Sequence, residues 1–167
     1  NLLYSGTDLT VYGLTVGRGL GAVSDNTAIG NSALAASTTG GGNVAVGYNT
    51  MASNTIGTGN TAVGSTALDE NTTGINNTAV GANSLGKNIT GVENSAFGVS
   101  ALSQNTAGNY NSAFGRQALA NVITASNSTA MGYQALFTST AANLVAVGYK
   151  ALYSNTTGVE NTAVGYN

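Results

Sequence analysis

A five-residue pattern, Asn-Thr-Ala-Val-Gly, recurs at one spacing along the chain and restricts the fold more than any other feature of the sequence. It is intact at 60–64, 77–81 and 161–165, and variants of it fill the remaining positions. Its closing glycines are Gly30, Gly47, Gly64, Gly81, Gly98, Gly115, Gly132, Gly148 and Gly165, spaced 17 apart except for 16 between Gly132 and Gly148. A fixed period of this length marks a chain of stacked units, each burying apolar surface against the next. The third position is Ala in all nine copies, Ala62 and Ala79 among them. The fourth is large and apolar: Ile29, Val46, Val63, Val80, Phe97, Phe114, Met131, Val147 and Val164. Four residues beyond the glycine stands Leu or Met, as at Leu68 and Leu85, with a small residue before it. A second turn signal follows, clearest in Asn71-Thr72-Thr73-Gly74 and Asn155-Thr156-Thr157-Gly158.

A helical repeat fits this pattern badly. Glycine at two fixed places per unit costs about 1 kcal/mol each in a helix interior, and dense Asn, Thr and Ser favour turns. The Thr-Ala-Val and Ala-Leu runs read as brief strands between tight corners. Seventeen residues supply roughly 56 Å of extended contour, enough for one flattened coil of two or three short strands. Stacked at about 4.8 Å, nine coils make a rod about 43 Å long. The expectation is an all-β chain: a parallel β-solenoid or β-roll of nine 17-residue coils over 26–167, the last incomplete, preceded by a lead-in segment over 1–25.

Side chains alternate faces along a strand, so the Ala column and the large column beside it must point opposite ways. The same reading puts each Leu opposite the small residue preceding it. Taken with Ala62, Val63, Gly64, Leu68, Ala79, Val80, Gly81 and Leu85 as core columns, this leaves one face of large apolar side chains and one of alanines. An invariant small column opposite the interior points to a second buried surface, closely approached by another chain.

Composition removes several functions. Only four Lys/Arg and six Asp/Glu occur among 167 residues, with no Cys, His, Pro or Trp. That excludes a disulfide framework, zinc sites of the usual kind and Ser-His or Cys-His catalysis. Nucleic-acid binding through a phosphate backbone needs far more cations, and no apolar run is long enough for a membrane helix. Residue 1 is not Met and the last motif stops midway, so a segment of a longer protein is expected.

Residues 147–158, Val-Gly-Tyr-Lys-Ala-Leu-Tyr-Ser-Asn-Thr-Thr-Gly, with the following 161–166, resemble the repeats of phage tail fibres. The lead-in Asp8-Leu9-Thr10-Val11-Tyr12-Gly13-Leu14-Thr15-Val16-Gly17-Arg18-Gly19 resembles the segment preceding such repeats. The Ala-Val-Gly core is also similar to the head repeats of trimeric autotransporter adhesins, which are left-handed parallel β-rolls of a different repeat length. The resemblance implies a homotrimer in an elongated virion fibre: a stiff shaft presenting a tip that binds a host glycan or receptor, mostly through a neighbouring domain. A microbial surface fibril or adhesin built on the same repeat is the alternative. An ice-binding solenoid ranks third, because the column before Ala is broken by Val44 and Val145 and has no Thr-x-Thr partner.

No catalytic, metal or cofactor residue is assigned. Asp69 and Glu70 are adjacent and read as a solubilised corner. Glu93 and Glu160 share a column but lie four coils apart, roughly 19 Å, beyond the reach of paired glycosidase carboxylates. Gly17-Arg18-Gly19-Leu20-Gly21 fits neither nucleotide fingerprint. The Asn column (Asn26, Asn43, Asn60, Asn77, Asn94, Asn111, Asn161) suits a stacked amide ladder. Tyr48, Tyr133, Tyr149 and Tyr166 share the column after the glycine and are the candidate glycan contacts. Asn71, Asn76, Asn88, Asn127 and Asn155 stand in Asn-x-Ser/Thr triplets. Departures cluster late: Ser128 and Leu144 replace the column Asn, Ala125 replaces the second-corner glycine, and the 16-residue interval predicts an altered loop there.

Overall fold

The computed structural model describes residues 8–11, 14–19 and 23–167. Within them a hairpin of β1 (Asp8–Val11) and β2 (Leu14–Gly17) leads into nine three-residue strands. These are β3 (Thr27–Ile29), β4 (Val44–Val46), β5 (Thr61–Val63), β6 (Thr78–Val80), β7 (Ser95–Phe97), β8 (Ser112–Phe114), β9 (Thr129–Met131), β10 (Val145–Val147) and β11 (Thr162–Val164). All eleven form one sheet in chain order. β2 joins β3 antiparallel, Gly17 opposite Ala28, and β3 to β11 are parallel, with Ala62 opposite Ala79 and Val63 opposite Val80. The parallel β-solenoid expected from the repeat is therefore present, with eight turns of about 17 residues and no helix among the described residues. Each coil holds a single strand where two or three were expected. Of the lead-in over 1–25, residues 1–7, 12–13 and 20–22 lie outside the described residues, Tyr12, Gly13, Leu20 and Gly21 among them.

The alternation along each strand is as expected, but its direction is reversed. The Ala column is the interior, fully buried from Ala28 to Ala146, while the large column faces outward. Val63 is 38% exposed and Val80 half-buried, so neither is a core residue. The cause is the thinness of the coil. Each strand is backed at short range by Leu68- and Leu85-type side chains and by asparagines, and only a methyl group fits between them. The second buried surface inferred for the alanines is thus the solenoid's own interior.

The Ala-Leu run corrects a second expectation. It is a turn, and the small residue and Leu are both buried: Ala67 and Leu68 are each 0% exposed. Strand alternation fails because all eight Leu/Met residues of this column have φ between 48° and 53°. Left-handed backbone costs a non-glycine residue about 1–2 kcal/mol, and burying a leucine side chain returns about 1.5–3 kcal/mol. The conformation also points alternate N–H groups to opposite neighbours. Thr66 N–H donates to Tyr48 C=O one coil back, and Leu68 N–H donates to Ser84 C=O one coil ahead. Every turn is thereby tied to both adjacent coils.

At the first corner only glycine serves. Gly64 and Gly81 have φ of 137° and 132°, and a Cβ on Gly64 would stand 2.6 Å from Gly81 O. The second corner is organised by amides. The expected ladder runs from Asn26 to Asn111; Asn161 is exposed and stands apart from it, with Leu144 in the preceding coil. Asn77 N–H donates to Asn60 Oδ1 at 2.9 Å, while Asn77 Nδ2 donates to Gly91 O at 2.7 Å. A second ladder, not anticipated, stacks Asn54, Asn71, Asn88 and Asn105, with Nδ2 to Oδ1 distances of 2.7 to 2.9 Å. Both ladders donate to the same glycine carbonyls, as Asn60 and Asn71 do to Gly74 O. No buried side-chain N or O atom among the described residues lacks a partner, which is what makes so polar an interior tolerable.

Candidate functional site

With alanine inside, the outer face of the nine-strand sheet carries two columns. One is Thr/Val/Ser, from Thr27 to Thr162; the other is the large apolar column, from Ile29 to Val164. Neither holds a charged residue. Phe97 and Phe114 stack here with centroids 5.0 Å apart and 5° between planes, yet each remains 38% exposed. Parallel sheets are ordinarily covered on both faces. This one leaves an uncharged, part-apolar strip running its whole length.

The tyrosine column lies on the first corner, at one edge of that face. Tyr133, Tyr149 and Tyr166 come together as one stack, with centroids 5.3 and 5.0 Å apart. Tyr48, 57% exposed, is five coils away from Tyr133 and shares no ring contact among the described residues. Stacking changes what the column can do. A sugar packs on the face of a ring, but both faces of Tyr149 are taken by its neighbours, and one face of Tyr133 is met by Arg116 at 5.8 Å. Ring edges, hydroxyl groups and the outer face of Tyr166, which is 79% exposed, remain.

Four residues of this edge were missed in the sequence: Arg116, Phe137, Lys150 and Tyr153. Phe137 and Tyr153 form a parallel stack at 5.3 Å, and the Lys150 ammonium sits 5.4 Å from the Tyr149 ring and 5.2 Å from that of Tyr153. The same column arithmetic could have found them. Phe137 and Tyr153 each follow the column Leu, and Lys150 follows Tyr149. Beside them, Gln134 Nε2 donates to Gln117 Oε1 at 2.9 Å.

The remaining candidates resolve locally. Burial, and next the adjacent Glu70, hold the Asp69 carboxyl above the ordinary carboxylate range. No cluster of three or more His, Cys, Asp or Glu that could hold a metal occurs among the described residues. Of the Asn-x-Ser/Thr triplets, Asn71 and Asn88 are fully buried in the second ladder and closed to glycosylation in the folded chain. Asn76 and Asn127 are exposed, and Asn155 is half-buried. The missing residue of the 16-residue coil is absorbed at the second corner. There Leu144 is buried in place of Asn, and β9 and β10 keep their register, Ala130 opposite Ala146.

No helix of the described residues is long and apolar enough to cross a membrane. Comparison with protein-family models, with curated proteins and with solved structures finds no match to this chain.

Proposed function

We propose that this chain is a structural and adhesive segment of a trimeric phage tail fibre, a stiff shaft that presents a receptor-binding tip to a host cell. The observation that carries the reading is the outer sheet face. It is an uncharged strip with large apolar side chains at every coil, and the solenoid itself does not cover it. Exposed apolar surface of this extent marks an association site. Three copies related by a rotation axis along the rod would bury the strip over its full length, with the coils of all three in step. The Asn-Thr-Ala-Val-Gly repeat and its resemblance to tail-fibre repeats support the same assembly. Stiffness follows from construction, since each coil is bonded to both neighbours through backbone and amide ladders. Contacts to a host glycan repeated on three chains add by multivalency.

Sedimentation equilibrium tests the proposal. A species of three times the 16.4 kDa chain mass is expected, and Phe97→Lys, placing a charge in the strip, is expected to dissociate it. A stable wild-type monomer overturns the trimeric shaft.

A further inference from the structure

The first corner changes character along the rod. The column after the glycine reads Asn31, Tyr48, Ser65, Ala82 and Val99 in the first five coils, then Arg116, Tyr133, Tyr149 and Tyr166. A shaft needs no such change, because the earlier coils close the same corner with Asn, Ser, Ala or Val and with one tyrosine, Tyr48, that stacks on no ring among the described residues. The Arg116 guanidinium caps the tyrosine stack at one end. Lys150 lies between that stack and the Phe137–Tyr153 pair.

We propose that this edge is a binding site for an acidic polysaccharide, with Arg116 and Lys150 as the partners of sugar carboxylates. Three observations carry the assignment. First, the ring faces of Tyr133 and Tyr149 are filled by their stacking neighbours and by Arg116, so along the stack itself no ring face is offered to a neutral sugar. Tyr133 holds Arg116, and Tyr153 holds Lys150 beside the edge of the tyrosine stack, by the attraction of a cation to an aromatic ring. Second, residues 94–159 contain no Asp or Glu. The two cations are therefore the only charges of this stretch, in a chain whose net charge is −2; the nearest flanking acids in sequence are Glu93 and Glu160, both exposed on the second corner. Third, the rings repeat every 5.0 to 5.3 Å, close to the length of one pyranose unit. Arg116 and Lys150 stand two coils apart, about 10 Å along the axis, which matches carboxylates two sugar units apart on a chain lying along the rod. The tyrosine hydroxyls and the Gln117–Gln134 pair supply hydrogen bonds beside them.

This inference gives a ligand class to the adhesive role proposed above and rests on it. Affinity electrophoresis of the full chain through gels containing polygalacturonate, hyaluronate or neutral dextran tests it. Retardation by at least one of the two polyuronates and none by dextran is expected. Lys150→Gln and Arg116→Gln should each weaken binding at least fivefold, and the double variant should abolish it. Lys87→Gln removes the same charge from a site without aromatic neighbours and should leave binding unchanged. Tyr149→Phe keeps the stack and should retain most of the affinity, with far-UV circular dichroism confirming the fold of each variant. Equal retardation by dextran, none by either polyuronate, or equal weakening by Lys87→Gln overturns the site. Sedimentation of the same samples keeps the two proposals apart. A trimer that ignores polyuronates sinks the site alone, whereas a monomer that binds them sinks the trimeric shaft alone.

Discussion

Residues 43–111 and 112–167 are the same solenoid at two levels of regularity. In the first stretch both amide ladders are continuous, through Asn43, Asn60, Asn77, Asn94 and Asn111 and through Asn54, Asn71, Asn88 and Asn105. In the second stretch Val122 takes a place in one ladder, Ser128 and Leu144 take places in the other, and one corner is a residue short. The tyrosine stack, the Phe137–Tyr153 pair and two of the four cations lie in that second stretch, and the Phe97–Phe114 stack spans the boundary. Where the ladders are unbroken the column after the first-corner glycine holds one aromatic, Tyr48, and no cation. Where the repeat departs from its own pattern, stacked rings and two cations occupy the edge. In a stacked repeat each coil needs only compatible neighbours, so a local departure is tolerated without loss of register.

The largest effect is expected at a position both stretches share. A Cβ on Gly81 would stand 2.7 Å from Gly98 C and O, on a backbone at φ 132°. Gly81→Ala should cost roughly 3–5 kcal/mol from strain and overpacking together, read as loss of the cooperative thermal transition. A change under 1 kcal/mol would show that the coils can slide apart at the first corner.

A reciprocal exchange addresses the ladders directly. Asn77→Leu leaves Asn94 N–H without its acceptor and removes a donor from Gly91 O. Each unsatisfied buried group costs about 1–3 kcal/mol, so a loss of about 2 kcal/mol or more is expected in urea denaturation. Leu144→Asn buries an amide in a place packed around leucine, beside Ser128 rather than a ladder asparagine, and should also cost about 2 kcal/mol or more. A loss below about 1 kcal/mol at either site would show that the stretch is not adapted to the residue it carries there.

The smallest effect concerns Asp69, in the regular stretch. Burial and Glu70 raise its folded-state pKa above the ordinary value of 3.8. The folded chain then holds the proton more tightly than the unfolded chain. Stability is greatest below that ordinary value and falls as pH rises through the window up to the folded value. Asp69→Asn should remove this slope and raise stability at neutral pH only slightly, because solvent screens a partly exposed carboxylate, within the roughly 0.5 kcal/mol of an ordinary surface substitution. A melting temperature that still falls with pH across that window would assign the effect to another group.

Much of this architecture is legible in the one-dimensional pattern. In a solenoid each residue lies against its own equivalents one turn away, so a shared environment becomes a column, and Gly64-Gly81, Asn60-Asn77 and Ala62-Ala79 could be aligned by eye. The aromatic edge was half visible. The tyrosine column stood out, but Phe137 and Tyr153 occupy their position only in the last coils, and the cations matter only because rings surround them. That Val63 points outward and Ala62 inward was not legible, because strand alternation has two solutions and larger side chains usually belong inside. The left-handed backbone at Leu68 and its equivalents carried no signal either, since leucine has no preference for that conformation.

Period, strand class and the identity of each column were therefore determined by the sequence alone. Which face is the interior, how Ala-Leu turns and which rings stack were decided by tertiary structure. The physical reason is that coil spacing and cross-coil hydrogen bonds are properties of neighbouring turns. They leave room for alanine inside, hold leucine in a conformation it would not choose, and send valine and phenylalanine to the surface.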